Sequence, residues 1–165
     1  MTLMTPATIT DNDAIVTEIQ VAAPPDRVFK ALTDPKALMR WFDSPECPVK
    51  SWEMDARPGG RYRYTTEKGT IVVNNVSEFE CHGEILEIDP PHLLVYTWIA
   101  NWHDDKSRRT VVRWELTPAA AGTRVKVTHK VRPRPEIRLC PPRQLFSGKC
   151  CIVTFPGGGR QFMYP

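Results

Sequence analysis

The stretch "AIVTEIQVAAPPDRVFKALTDPKALMRWF", residues 14–42, decides the fold because it fixes the order of the first three elements. Its first eight residues place Ile15, Ile19 and Val21 on one face, which is typical of a strand. Two short segments with helical apolar spacing follow. Each carries proline in its first turn, where a helix tolerates it. The order strand, helix, helix therefore begins the domain.

Residues 49–130, further along the chain, have β character almost throughout. Apolar residues alternate with polar ones in several segments, and short turns separate these segments, which predicts an antiparallel meander of about six strands. The segment "PHLLVYTWI" is apolar on both faces and predicts a central strand. Gly83 predicts a bulge or a close approach between strands, and Gly59 with Gly60 predicts a tight turn.

A sheet of this size needs a cover on its apolar face, and two short helices are too small to provide it. The pattern therefore calls for a long helix after residue 130. Residues 131–165 do not support one, because Pro133, Pro135, Pro141 and Pro142 would interrupt it. Without that helix, the tail or a second copy of the chain in a homodimer would have to cover the sheet.

Four segments in order resemble a known superfamily: "VAAPPDRVFKALTDPKALMRWF", "MDARPGGRYRY", "GEILEIDPPHLLVYTW" and "VRWELTPAAAGTRVKVTH". They look like a bacterial protein of the START-like superfamily, also called SRPBCC or helix-grip. The branch is the one named after the C-terminal domain of the activator of the heat-shock protein 90 ATPase. The resemblance covers about residues 14–130.

This resemblance implies an α+β fold of the helix-grip type. A curved antiparallel sheet of about six to seven strands, with two short helices after the first strand, would grip a long C-terminal helix. A hydrophobic cavity would lie between the sheet and that helix. Members of the superfamily bind small apolar ligands or lipids, and a few relatives are cyclases or other enzymes.

The sequence divides into three parts: a polar, flexible N-terminus over residues 1–13, the START-like domain over 14–130, and a tail over 131–165. The tail is rich in Pro and Cys and holds six Lys or Arg but one acid, Glu136. The net charge of +3 therefore comes from the tail and does not indicate a nucleic-acid surface on the fold. We hypothesise a reading-frame shift near residues 129–130, which the coding DNA tests directly.

Composition suits one soluble domain, with 41% hydrophobic and 25% charged residues in 165. No signal peptide or membrane span is evident, which predicts a cytoplasmic protein with reduced cysteines. The five cysteines lack zinc-site spacing, and we predict no metal and no cofactor. We predict no nucleic-acid partner either.

Aromatic residues in the predicted strands are the best candidates for a ligand wall, because Tyr and Trp combine an apolar ring with one polar atom. Two histidines in strands could face the same cavity and orient a ligand. The candidate cavity residues are Trp52, Tyr62, Tyr64, His82, Trp98, Trp114 and His129. Simple core packing explains at least half of the aromatic residues equally well.

Three functions remain open from the sequence. The first is a module that binds a small apolar or aromatic ligand without covalent chemistry. The second is a chaperone partner that activates an ATPase, although the eukaryotic activator has an additional N-terminal domain. The third is a cyclase- or hydrolase-like enzyme that would use His82, His129 or Glu84 in the cavity. No catalytic residue is assigned, because nothing in their spacing singles one of them out.

Overall fold

The computed structural model describes residues 7–11, 14–103, 105, 109–131, 152–155 and 159–162. The elements are β1 (Ala7–Asp11), β2 (Ala14–Val21), α1 (Pro25–Thr33), α2 (Pro35–Phe42), β3 (Val49–Met54), β4 (Arg61–Thr66), β5 (Glu80–Asp89), β6 (Leu93–Ala100), β7 (Thr110–Ala119), β8 (Gly122–Val131), β9 (Ile152–Phe155) and β10 (Gly159–Phe162). In the part of the chain that the structure describes, no helix has the length and hydropathy needed to span a membrane.

Eight strands form one antiparallel sheet in the order β1-β2-β8-β7-β6-β5-β4-β3. Strands β3 to β8 are a continuous meander, and β2 pairs with β8 through eight residue pairs. The chain therefore leaves β2 near one edge, passes through α1 and α2, and re-enters at the opposite edge with β3. The last two strands, β9 and β10, form a separate hairpin.

The two helices begin as the sequence predicts. Pro25 lies in the first turn of α1, and Pro35 lies in the first turn of α2. The carboxylate of Asp34 accepts a hydrogen bond from the Lys36 backbone N–H at 2.9 Å and so caps α2. The indole N–H of Trp41 donates to the carbonyl of Ala31 at 2.8 Å. That bond links the second helix to the first.

Both helices pack on the same side of the sheet, which we call the inner face. The ring of Phe42 in α2 lies 4.9 Å from Trp52 and 5.6 Å from Tyr64. Residues that pair directly across neighbouring strands point to the same face of the sheet, and one set of such residues points to the inner face. Along the sheet they include Ile19, Val125, Leu116, Val127, Trp114, Leu94, His129, Val112, Tyr96, Ile85, Tyr62, Tyr64, Cys81, Ala100 and Trp52. The charged residues of the same strands alternate onto the opposite, outer face.

Gly83 occupies a point of close approach between β5 and β6. A Cβ at this position would lie 1.8 Å from the carbonyl oxygen of Thr97 and 2.8 Å from the ring of Tyr62. Glycine thus lets the Tyr62 ring lie across the strand and donate its hydroxyl to the Thr97 carbonyl at 2.8 Å. The prediction of a close approach at Gly83 is confirmed. The turn predicted at Gly59 is confirmed too, since its φ is 75°.

The α+β class, the curved antiparallel sheet and the two helices after the first long strand are confirmed. The sheet has eight strands, where about six to seven were predicted. The additional one, β1, falls in residues 1–13, which the sequence assigned to a flexible N-terminus. The region expected to hold a long closing helix falls largely in residues 132–151. Those residues, and with them the frame-shift hypothesis, lie outside the described residues.

Candidate functional site

A chain of aromatic rings crosses the inner face of the sheet. The Trp52 ring stacks on Tyr64 with 4.6 Å between centroids and an interplanar angle of 11°. Tyr64 lies 5.9 Å from Trp98, and Trp98 lies 6.2 Å from Trp102. We call these four residues the aromatic cluster. Trp98 is its centre, because the rings of Tyr96 and His129 also lie near it, with centroids 6.5 and 6.2 Å away.

Strand register brings these rings together. Trp52 in β3 is paired with Tyr64 in β4, so their side chains leave the sheet side by side. Tyr64 is paired with Cys81, which in turn is paired with Ala100. Both of these residues are small and buried. Because Cys81 and Ala100 are small, they leave room on the inner face of β5 and β6. The large rings of Tyr64 and Trp98 approach each other there.

A hydrogen-bonded pair of His129 and Thr110 lies beside the cluster. The Nε2 atom of His129 is 2.6 Å from the hydroxyl of Thr110. That hydroxyl also lies 3.3 Å from the carbonyl oxygen of Trp98, and the His129 ring is 6.2 Å from the Trp98 ring. The threonine has one proton to donate. If it goes to the Trp98 carbonyl, then Nε2 of His129 carries a proton and donates to the threonine.

Two buried tyrosines near the cluster have their hydroxyl groups engaged. Tyr62 donates to the Thr97 carbonyl, and the Tyr96 hydroxyl accepts from the indole N–H of Trp114 at 3.0 Å. Burial raises the pKa of Tyr62 well above its ordinary value, and it raises the pKa of Tyr96 and of the Cys81 thiol as well. All three groups stay neutral at physiological pH. They act as hydrogen-bonding and packing groups there, not as ionised nucleophiles.

Three indole N–H groups of the cluster find no acceptor in the part of the chain that the structure describes. Among the residues that the structure describes, the Nε1 atoms of Trp52, Trp98 and Trp102 are buried without a hydrogen-bond partner. The three side chains are over nine-tenths buried, with exposed fractions of 8%, 7% and 3%. An indole N–H can only donate, and a buried donor without an acceptor carries a desolvation cost. Such groups call for a specific explanation.

His82 lies on the outer face, away from the cluster. It is paired with Arg63 in β4, and half of its side chain is exposed. Its Nδ1 atom is 4.0 Å from a carboxylate oxygen of Glu80. His82 therefore lies on the face opposite the aromatic cluster, because alternation along β5 turns Cys81 and Ile85 inward and His82 outward.

The outer face at this point is a charged groove of about 330 Å³ between β3, β4 and β5. Arg63 donates two hydrogen bonds to the Glu80 carboxylate, at 3.1 and 2.9 Å. These bonds hold the pKa of Glu80 below its ordinary value. Glu84, the other outer-face candidate, is exposed and paired in register with Arg61. The outer groove therefore contains polar pairs exposed to solvent.

The structure brings Trp52, Tyr64, Trp98 and His129 together, with Tyr62 and Trp114 on the same face. It adds Tyr96 and Thr110, which the sequence did not single out for the site, and Trp102, an aromatic residue beside a predicted strand that lies in the turn after β6. Alternation could have found Tyr96, because Tyr96 and Trp98 are two residues apart in β6 and therefore share a face. Thr110 has no such signal, since its importance comes from cross-strand pairing with Trp98.

A known protein family matches the greater part of the chain. The family model described as "Activator of Hsp90 ATPase homolog 1-like protein" matches residues 22–140. No curated protein matches the sequence. The match covers both helices and the whole meander, from the end of β2 to β8.

Solved structures with the same architecture come from several bacteria. A protein from Rhodobacter sphaeroides has 20% identity and a TM-score of 0.66, over 78% of this chain and 80% of that one. One from Chromobacterium violaceum has 26% identity and a TM-score of 0.61, over 79% and 85%. One from Mycobacterium smegmatis has 19% identity and a TM-score of 0.65, over 79% of each chain. The matches under 25% identity show the shared fold alone.

Proposed function

The chain belongs to the family of Activator of Hsp90 ATPase homolog 1-like proteins, and from this premise we propose that it binds a small apolar or aromatic molecule. The ligand lies against the aromatic cluster on the inner face of the sheet. No covalent step and no cofactor are part of the proposal. The protein acts as a binding module.

The observation that carries this proposal is the aromatic cluster itself. Trp52, Tyr64 and Trp98 present large apolar rings on one face, and they combine them with polar atoms. Ligand sites are lined mainly by apolar and aromatic side chains with a few polar groups that fix orientation. A core that served packing alone would gain nothing from three indole N–H groups that find no acceptor among the described residues, because a buried donor without an acceptor lowers stability.

An enzymatic function is less well supported by the same geometry. His82 and His129 were the histidines considered for catalysis, and they lie on opposite faces of the sheet. They therefore cannot act together on one substrate. The Nε2 atom of His129 is engaged with Thr110, which suits a role in orienting a ligand.

Thermal unfolding with added ligand tests the proposal. The full chain is titrated with indane, a bicyclic aromatic hydrocarbon, and with 1-indanone, its ketone. Ligand at 100 times its Kd stabilises a folded protein by about 2.7 kcal/mol. For a domain of this size that corresponds to a rise in Tm of roughly 5–10 °C. We expect a saturable rise in Tm with at least one of the two compounds.

A matched pair of variants locates the effect. Trp98→Leu replaces the indole ring at the centre of the cluster with a smaller aliphatic side chain, and it should abolish the shift in Tm. Arg113→Gln changes an outer-face residue on β7, between the inward-facing Val112 and Trp114, and should leave the shift unchanged. If neither compound raises the Tm of the unmodified chain, or if Trp98→Leu keeps the full shift, the proposal is wrong.

A second candidate function comes from the family description, which names an activator of the heat-shock protein 90 ATPase. On this alternative the chain binds the chaperone and increases its rate of ATP hydrolysis. Adding the full chain to a bacterial heat-shock protein 90 and measuring phosphate release tests it. A rate that rises with concentration and saturates favours the chaperone function. An unchanged rate leaves ligand binding as the better-supported function.

A further inference from the structure

Charges of opposite sign are separated on the outer face of the sheet. Strand β5 presents Glu84 and Asp89 on that face, and strand β8 presents Lys126 and Lys130. Among the described residues, none of these four side chains forms an ion pair. Strands β6 and β7 lie between the two groups. Three strand spacings separate them by about 14 Å, which is too far for them to pair within one copy of the chain.

Strand register places these charges at the two ends of the same rows across the sheet. The residues of one row are Asp89, Leu93, Glu115 and Lys126. The residues of the other row are Glu84, Thr97, Val111 and Lys130. Glu84 joins its row through its backbone N–H, which donates to the Thr97 hydroxyl at 2.9 Å. Each row therefore begins with an acid on β5 and ends with a lysine on β8.

A second copy of the chain is complementary to this pattern. Two outer faces can pack about a two-fold axis that lies between them, parallel to the strands and midway between β6 and β7. Strand β5 of one copy then lies opposite β8 of the other, and each row lies opposite the same row. Glu84 faces Lys130 of the partner subunit, and Asp89 faces Lys126 of the partner subunit. Symmetry makes each contact twice.

The middle of this face suits the centre of an interface, which is usually apolar with a polar rim. Leu93 on β6 and Val111 on β7 are partly exposed there. Arg113, a cation in the middle of the face, already has partners in its own copy. It lies 3.4 Å from Glu87 and 3.4 Å from Glu115. The unpaired charges are therefore at the two sides of the face, where rim contacts form.

The size of the face predicts a weak dimer. Four strands are about 19 Å wide and eight residues are about 26 Å long, so each copy contributes about 500 Å². The total of about 1,000 Å² is at the low end of specific interfaces. Water already satisfies the exposed charges of the free chain, so each ion pair adds little. Association should therefore be reversible and should weaken with salt.

We propose that the outer face of strands β5 to β8 is the interface of a reversible homodimer. Glu84 pairs with Lys130 of the partner subunit, and Asp89 pairs with Lys126 of the partner subunit. This interface is on the face opposite the aromatic cluster and does not depend on ligand binding.

An exchange of charge between β5 and β8 tests the pairing. Sedimentation velocity follows the full chain from about 1 μM to about 1 mM, and the share of dimer should rise with concentration. Glu84→Lys and Lys130→Glu each place like charges opposite one another at both symmetric contacts. Each variant should raise the Kd of the dimer by about tenfold or more. An equal mixture of the two variants should dimerise again, because each copy then offers the opposite charge at both contacts.

Glu53→Lys is the matched control. Glu53 is exposed on the outer face of β3, outside the four strands of the interface. Its reversal changes the net charge by the same amount as Glu84→Lys, and it should leave the Kd unchanged. Asp89→Lys and Lys126→Glu repeat the exchange in the second row, so the test does not depend on the folding of one variant.

Association that is lost in each single variant and regained in their mixture supports the proposal. Three results would overturn it. The first is an unmodified chain that stays monomeric up to about 1 mM. The second is a single variant, Glu84→Lys or Lys130→Glu, that associates as strongly as the unmodified chain, because another surface would then join the copies. The third is a mixture of the two variants that stays monomeric.

Discussion

The two faces of the sheet use the same strands in opposite ways. On the inner face, Tyr64 and Trp98 are buried among other rings, and the indole N–H groups of Trp52, Trp98 and Trp102 find no acceptor among the described residues. On the outer face, Arg63 and Glu80 are exposed and satisfy each other with two hydrogen bonds. Polar groups on the outer face therefore need nothing further. Each buried donor on the inner face that finds no acceptor among the described residues carries a desolvation cost, whereas the polar groups of the outer face do not.

Replacing Trp98 on the inner face with alanine should cause the largest loss of unfolding free energy. Removing a large buried ring from a packed core costs about 3–5 kcal/mol of unfolding free energy. The matched outer-face change, Lys126→Ala on β8, should cost less than about 0.5 kcal/mol. Urea denaturation of both variants measures the difference. Equal effects on the two faces would contradict the assignment of inner and outer sides.

Gly83→Ala should have the next largest effect. A Cβ at this position would meet the Thr97 carbonyl and the Tyr62 ring, so β5 and β6 must separate locally. Forcing atoms into a well-packed region costs about 1–3 kcal/mol. Chemical denaturation measures the loss. Unchanged stability would mean that the close approach of these strands does not matter for the inner face.

Thr110→Val should have a smaller effect that is confined to the inner face. The substitution keeps the shape of the side chain but removes the hydroxyl group that lies 2.6 Å from Nε2 of His129. Loss of one such hydrogen bond costs about 1 kcal/mol. Thermal melting measures the change, and Thr117→Val, an exposed position on the same strand, is the control. A loss in the control as large as in Thr110→Val would show that the pair has no special role.

Glu80→Gln on the outer face should have the smallest effect, and that effect should depend on pH. The pKa of Glu80 is lowered in the folded protein, first by its hydrogen bond to Arg63. The stability that the charged Glu80 contributes is therefore fully present above its ordinary pKa of 4.5, and it is lost as the pH falls through the lower pKa of the folded protein. Exposed pairs contribute little in water. Melting curves from pH 3 to 7 should converge at the acid end, and a constant gap would contradict the ion pair.

Much of the fold could be predicted from local pattern. The prolines at positions 25 and 35 predicted both helix starts, and the apolar segment around Leu94 predicted the central place of β6. The strand β1 could not be predicted in this way. Its five residues "ATITD" have no strong apolar face that would predict a strand. They form one through antiparallel pairing with β2.

The candidate site was predictable in part. Alternation predicted that Tyr62 shares a face of its strand with Tyr64, and that Trp114 shares a face of another strand with Val112 and Leu116. Alternation along β5 also indicates that His82 and Glu84 lie on the face opposite Cys81 and Ile85. The pair of His129 and Thr110 depends on strand register, and the unpartnered indole groups depend on contacts across the whole inner face. No local pattern contains that information.

Nuclear magnetic resonance of the indole N–H groups tests the central claim most directly. The chain has five tryptophans, and two of them, Trp41 and Trp114, have protein acceptors for their N–H groups. On addition of 1-indanone, we expect the Trp98 resonance to move downfield, with Trp52 or Trp102 following it. The resonances of Trp41 and Trp114 should move least. If no indole resonance moves, or if only those two move, the inner face does not bind the ligand.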